Sequence, residues 1–215
     1  MAWKVFDEKT AEYDNWFEKS FGAGAFALEL KSIKRLVGET LEDSLEIGVG
    51  TGRFASSLGV KFGMDPSFHA LSYARKRGIL VAQATAELLP FRASTFSQIF
   101  MIVTVCFLDD PLKAFTEIHR ILKPDGKLIL GLILADSEWG KFYEHKKASG
   151  NPFYQSAYFW KNDELMHILN ETGFKVIDAM STLFDPPGMH IILNKEIKQG
   201  MDIQAGFHTL LAKRI

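Results

Sequence analysis

The segment Leu45-Glu46-Ile47-Gly48-Val49-Gly50-Thr51-Gly52 sets a carboxylate and three glycines at the end of an apolar run, and Asp65 follows thirteen residues after Gly52. An apolar run that enters closely spaced glycines reads as a buried strand feeding a tight turn. Glycine there permits positive φ and lets a ligand lie against bare backbone. Arg53 to Leu58 opens a helix after the turn, and the free N–H groups of a helix N-terminus favour an anionic ligand group. Asp65 ends a second apolar stretch, Val60 to Met64, where a carboxylate can accept hydrogen bonds from a ribose diol. An acid after the second strand is the arrangement of nucleoside sites on doubly wound sheets. Dinucleotide turns space their glycines as G-x-G-x-x-G. Here the third glycine comes one residue early, and Arg53 stands where that pattern needs glycine or alanine.

The elements that must position these groups alternate. Strands are expected at Ser44–Gly48, Lys61–Met64, Ile79–Gln83, Phe96–Val105, Lys127–Leu134, Phe174–Phe184 and Gly206–Lys213. Helices are expected at Arg53–Leu58, Phe68–Lys76 after Pro66-Ser67, and from Asp109-Asp110-Pro111 to Leu122, where an acidic cap precedes proline. A further helix, Glu164–Glu171, follows a cap at Asn162 or Asp163 and ends at Gly173. Strand–helix alternation implies right-handed crossovers and a mostly parallel sheet. Before the first strand, residues 8–37 read as two helical pieces broken at Gly22 and Gly24. The first is rich in aromatic residues: Tyr13, Trp16, Phe17 and Phe21. Residues 136–160 carry Trp139, Phe142, Tyr143, Phe153, Tyr154, Tyr158, Phe159 and Trp160, a poor strand pattern that suits a helical insertion.

Composition narrows the function. The chain has 215 residues, 47% apolar and 24% charged, with a formal net charge of −1. One large domain is expected, with no global positive field to hold nucleic acid. Cys106 is the only cysteine, so no intrachain disulfide can form. The longest apolar run, Ile99 to Leu108, is ten residues, too short to span a bilayer. No signal-peptide core is read at Met1-Ala2-Trp3-Lys4-Val5-Phe6-Asp7, and a cytoplasmic protein is expected. The histidines and the single cysteine are too dispersed for a metal-ligand cluster.

The ordered set of the glycine turn, Asp65, Glu87-Leu88-Leu89-Pro90-Phe91, and Arg120-Ile121-Leu122-Lys123-Pro124-Asp125-Gly126 resembles class I S-adenosylmethionine (SAM)-dependent methyltransferases. It is most similar to the small-molecule branch that includes quinone-biosynthesis methyltransferases. The resemblance covers most of the chain. It implies an α/β, Rossmann-like, seven-stranded sheet, mostly parallel, whose last strand is antiparallel and inserts beside strand six, with helices on both faces. A single domain over 1–215 would carry an N-terminal helical lid (1–40) and a cap insertion (136–160). SAM would be the methyl donor and a small molecule the acceptor, with no nucleic-acid or membrane partner.

Carried over residue by residue, the resemblance assigns Glu46, Gly48, Gly50 and Gly52 to the methionine part of SAM. Asp65 goes to the ribose hydroxyls, Pro66 to the adenine face, Ala86 and Glu87 to the adenine loop, and Thr104 to the neighbourhood of the sulfonium. One departure stands out: the family often has an acidic residue just before the Ala86 position, and this chain has Thr85. Its hydroxyl or a backbone carbonyl would substitute as acceptor for the adenine amino group. Asp65 also suits a helix-capping role, and Glu46 a strand-end surface position. Tyr13 and Trp16 read equally as core aromatics and as a cover facing the cofactor. His145 and His190 lie in candidate acceptor segments and are weak candidates for a base, whereas His69, His119 and His167 read as helix-surface residues. The rival functions are a non-catalytic SAM- or S-adenosylhomocysteine-binding protein of the same fold and a dinucleotide oxidoreductase, which the glycine spacing opposes.

Overall fold

Buried β-branched and aromatic runs, each ended by glycine or a capped helix, assemble here into one eight-stranded sheet. The computed structural model describes residues 1–40 and 42–215. Its strands are β1 (Ser44–Ile47), β2 (Phe62–Asp65), β3 (Leu80–Gln83), β4 (Phe96–Ile102), β5 (Leu122–Leu132), β6 (Phe174–Thr182), β7 (Ile197–Gln199) and β8 (Phe207–Arg214). They lie in the order β3-β2-β1-β4-β5-β8-β6-β7. The first five pair in parallel, whereas β8 is antiparallel to both β5 and β6, and β7 is antiparallel to β6. Strand order reverses beside β1, so the carboxyl ends of β1 and β4 flank the crevice where open α/β sheets place ligands.

The helices are α1 (Lys4–Glu8), α2 (Thr10–Trp16), α3 (Ser20–Val37), α4 (Arg53–Leu58), α5 (Phe68–Lys76), α6 (Pro111–Ile121), α7 (Glu138–Ala148) and α8 (Asn162–Glu171). Two start where side-chain caps predict. Ser67 Oγ accepts from the Ala70 N–H at the head of α5, and Asp110 accepts from the Lys113 N–H ahead of Pro111 in α6. Among the described residues, no helix is long and apolar enough to cross a membrane.

The period-2 alternation of the strands divides the core. Ile99, Met101, Leu128 and Leu130 face α6 and α8 and pack with Phe115, Ile118 and Leu165. Phe100, Ile102, Ile129 and Leu211 face the other layer and pack with Ile33, Leu71 and Ala74 of α3 and α5. Burying a large apolar side chain such as Phe100, Ile33 or Leu71 contributes about 1.5–3 kcal/mol relative to exposure. A third, smaller cluster of Trp139, Tyr143, Ala157 and Phe159 holds the segment after β5 together.

Several expectations need correction. The sheet has eight strands rather than seven, because Ile197–Gln199 pairs with Met180–Thr182 inside what reads as a long loop. The helix break at Gly22 and Gly24 does not occur, and α3 runs through both. Gly22 is there for closeness: a Cβ on it would overlap the Trp16 carbonyl. β4 stops at Ile102 rather than Val105. Val103 takes φ +51°, and Val105–Phe107 coils into a 3-10 turn. β5 begins earlier, at Leu122, so Pro124-Asp125-Gly126 lies within the strand's first, irregular pairing instead of closing the helix. Lys161, not Asn162 or Asp163, occupies the cap position of α8, where its N–H donates to Glu164.

Candidate active site

The glycine turn is built by interlocking contacts. The N–H groups of Gly48 and Val49 both donate to the Met64 carbonyl, at 2.8 and 3.0 Å, and so fasten the end of β1 to β2. Gly48 has φ +73°, and a Cβ there would overlap the Thr104 side chain. Thr104 therefore closes over the turn, its hydroxyl donating to the Ile102 carbonyl at 3.0 Å. Gly52, at φ +83°, caps α4, and a Cβ on it would come within 2.9 Å of Ala74 Cα. Its part is to let α5 press against the turn, and it does not line the large cavity described below.

Asp65 uses both carboxylate oxygens on backbone. Gly50 N–H donates to Oδ2 at 2.9 Å and Ser67 N–H to Oδ1 at 2.8 Å. One side chain thus joins the glycine turn to the head of α5. Burial pushes its carboxyl up to about 6, while the two N–H donors pull the other way. Glu46 is 2% exposed, and one of its carboxylate oxygens has no hydrogen-bond partner among the described residues. Burial pushes this group well above the usual carboxylate range. The Ala55 N–H opposes that rise and the Asp65 charge adds to it. A buried, unsatisfied carboxylate oxygen is costly unless something cationic reaches it.

Above this floor lies a cavity of about 380 Å³. Gly48, Gly50, Asp65, Pro66, Thr85, Ala86, Glu87, Thr104 and Tyr13 all line it. Glu46 opens into a small adjoining cleft that shares Tyr13, Gly48 and Gly50 with it. Glu87 does a second job, its Oε1 accepting from the Asp109 and Asp110 N–H groups at 3.1 and 3.3 Å and tying the loop to α6. His145 and His190 are both exposed and neither lines the cavity, so neither is placed to act as a base there. The first lies on the outer side of α7 and the second in the loop before β7.

The roof comes from both ends of the chain. Phe6 and Tyr13 from α1 and α2 meet Phe153 at ring-centroid distances of 5.6 and 6.4 Å. Phe6 also packs edge-on against Phe107, at 4.9 Å, just beyond β4. Two polar anchors hold the N-terminal helices down. Asp14 accepts from Arg53 on α4 and from Arg77 after α5. Asp7 accepts from the Ser67 hydroxyl at 2.7 Å and from His69. Sequence reasoning missed these anchors, because the partners are separated by 39 to 63 residues. It also missed Glu29 of the cavity wall, whereas Tyr143 and Tyr154 on that wall belong to the aromatic 136–160 segment. Glu29 carried a readable signal: it falls on the same helical stripe as Ala25, Ile33 and Leu36, which is otherwise core.

This arrangement can hold a nucleoside with an amino-acid tail. Buried carboxylates stand at both ends of the floor, free glycine backbone lies between them, and aromatic rings lie overhead. Comparison with known proteins agrees. A family model described as a methyltransferase domain matches residues 45–130. A crystal structure from Thermotoga maritima, described as a SAM-dependent methyltransferase and possible histamine N-methyltransferase, is 36% identical with a TM-score of 0.91, covering 100% of both chains. An uncharacterized protein of Methanocaldococcus jannaschii is 39% identical over 98% of this chain and 99% of its own. Phosphoethanolamine N-methyltransferase 2 of Caenorhabditis elegans is 30% identical over 81% of this chain but only 44% of its own length.

Proposed function

This chain belongs to the SAM-dependent methyltransferases, and from that premise we propose that it methylates a small molecule held beside the donor in the roofed cavity. The observation that carries the reading is the cavity itself. Its volume of about 380 Å³ is at the scale of small-molecule sites, and it is overhung by Phe6, Tyr13 and Phe153 instead of opening as a groove for a polymer. The donor set fits SAM. The unpartnered Glu46 oxygen suits the ammonium of the methionine tail, and the turn at Gly48 and Gly50 suits its carboxylate. Asp65 suits the ribose diol, and Pro66, Ala86 and Glu87 wall the adenine end.

When bound, the donor supplies a methyl group on a positively charged sulfur, already a good electrophile. The protein's own residues then have three tasks. Thr104 and the glycine turn fix where the reacting end lies. The aromatic roof excludes water, which helps a transfer that disperses charge. The cavity wall aligns the acceptor atom in line with the bond to be broken, at about 3–3.5 Å. The N-terminal helices and the 136–160 segment act as the cover that opens for exchange. With a single, buried thiol, we place the enzyme in the cytoplasm.

The test is ligand-dependent stability followed by turnover. S-adenosylhomocysteine is expected to raise Tm and NAD is not, because only a ligand of the native state shifts unfolding. Small amines, phenols and acids are then offered with SAM. Stabilisation by NAD alone would overturn the assignment of the glycine turn, and methylation confined to nucleic acid or protein would overturn the acceptor class.

A further inference from the structure

One carboxylate in the cavity is left over after the donor site is assembled. Glu29, on α3, is 7% exposed and lines the cavity. No hydrogen bond or ion pair reaches its carboxylate among the described residues, and burial alone governs its acidity. It is within electrostatic reach of the Tyr13 and Tyr143 hydroxyls. The Tyr143 and Tyr154 rings lie 4.8 Å apart. Phe153, beside Tyr13, continues the same wall. Burial favours the neutral acid form of this group in the empty protein, and a cationic ligand against it would restore the charged form. The charge around the cavity points to the same sign of ligand. Glu12, Glu29, Asp65, Glu87 and Asp109 line it, against only Lys19 and Lys146.

We propose that Glu29 anchors the acceptor, and that the acceptor is an amine whose ammonium group lies against this carboxylate among the rings of Tyr13, Tyr143, Tyr154 and Phe153. The inference rests on the reading that donor and small-molecule acceptor share this cavity. A cation next to a buried carboxylate and aromatic faces is recognised twice, by charge and by the ring quadrupoles. Glu46 already offers its free oxygen to the donor's ammonium, so Glu29 is available to a second one.

The same carboxylate serves the chemistry. An ammonium nitrogen has no lone pair to give, so it must lose a proton before methylation. Glu29 takes that N–H proton, and the freed lone pair forms the N–C bond to the donor methyl. The C–S bond breaks with its electron pair passing to sulfur, so the positive charge moves from sulfur to the new alkylammonium. The proton on Glu29 returns to solvent when the product leaves. Burial pushes the Glu29 carboxyl up to about 8, closer to an alkylammonium than an exposed glutamate is.

The experiment measures binding to the full chain saturated with S-adenosylhomocysteine, by calorimetry. The probes are 2-phenylethylamine, its neutral analogue 2-phenylethanol and the acid phenylacetate. The amine is expected to bind at least about tenfold more tightly than the other two, the scale of a hydrogen bond to a charged group. Glu29→Gln should erase that preference while leaving affinity for S-adenosylhomocysteine within about twofold and circular dichroism unchanged. Glu29→Asp should recover part of it. Equal binding of amine and alcohol by the wild type, or a preference that survives Glu29→Gln, would overturn the proposal. A parallel loss of S-adenosylhomocysteine binding would overturn it too, by moving Glu29 to the donor site. If the wild type bound no S-adenosylhomocysteine, the functional reading and this inference would fall together. Binding of S-adenosylhomocysteine without amine preference brings down this one alone.

Discussion

Arg53 clasps Asp14 with two parallel hydrogen bonds, Nε to one carboxylate oxygen and Nη2 to the other, each 2.8 Å long. Arg53 is the first residue of α4, immediately after the glycine turn, and Asp14 belongs to α2 of the roof. Arg77 adds a third bond at 3.0 Å while also donating to the Thr51 carbonyl at 2.7 Å. The floor and the roof of the cavity are therefore joined through one carboxylate, which is 13% exposed.

Asp14→Ala is expected to lower stability by about 1–3 kcal/mol, since Arg53 then keeps Glu18 as its one carboxylate partner and Arg77 keeps the Thr51 carbonyl. Burial opposes the charged form of Asp14, but Arg53 and Arg77 outweigh it and hold the carboxyl well below the usual range. The folded value is thus below the unfolded one, so the contribution is full above about pH 4 and is lost as pH falls further. Hydrogen exchange of residues 4–18 should accelerate in the variant, and affinity for S-adenosylhomocysteine should fall. Unchanged exchange there would show that the aromatic contacts alone hold the roof.

Asp65 offers a graded test. Asp65→Ala removes both acceptors for the Gly50 and Ser67 N–H groups and should weaken S-adenosylhomocysteine binding by about 1–3 kcal/mol. Asp65→Asn keeps one acceptor and should lose less. Because the carboxyl titrates at about 6 in the empty protein, wild-type affinity should be full above that value. It should fall as pH drops through it, when the charged acceptor becomes neutral. Calorimetry at pH 7.5 and 5 reads this directly, and a flat response would show that the Asp65 charge does not contribute to binding.

His208 governs acid stability from the far side of the sheet. It is fully buried on β8, with Nδ1 3.1 Å from Ser181 Oγ and no partner at Nε2 among the described residues. Burial pushes it down to about 4, against the smaller opposing effect of the Asp202 charge. The unfolded chain binds this proton first, near 6.5, so stability present at neutral pH is lost as pH falls from about 6.5 to 4. The full loss is about 3 kcal/mol. Asp65 and Glu29 are shifted upward and act in the opposite sense, so the readout is the difference between wild type and His208→Gln. Urea unfolding at pH 7.5 and 4.5 should show a smaller acid loss in the variant.

The parts of this protein legible in its sequence are those fixed by neighbours along the chain. β1, α4, β2 and α5 follow from apolar runs, glycines and a serine cap within a few residues of one another, and their expected and observed bounds nearly coincide. The glycine turn and Asp65 fall in this local stretch, and they meet in space because β1 and β2 pair. What escaped reading depends on distant packing. Gly22 looks like a helix breaker until the Trp16 carbonyl is found against it. β7 exists only because β6 offers an edge. Glu29 shows in the sequence as a charge on an apolar helical stripe, but only the packing of α3 puts it on the cavity, and His145 reads as a candidate base until α7 leaves it in solvent.

The position of β8 between β5 and β6 sets an order of events in the making of this molecule. Once residues up to 199 have left the ribosome, β6 and β7 exist as sequence, yet β6 has no partner joining it to the parallel half. Leu128 and Leu130 on β5, and Ala179 on β6, then wait for Ala212 and Leu210 to arrive. β8 is the last strand in the sequence, so its pairing with β5 is one of the most non-local contacts in the sheet. Without β8, the facing edges of β5 and β6 would both be unpaired, the kind of edge that invites pairing with another chain.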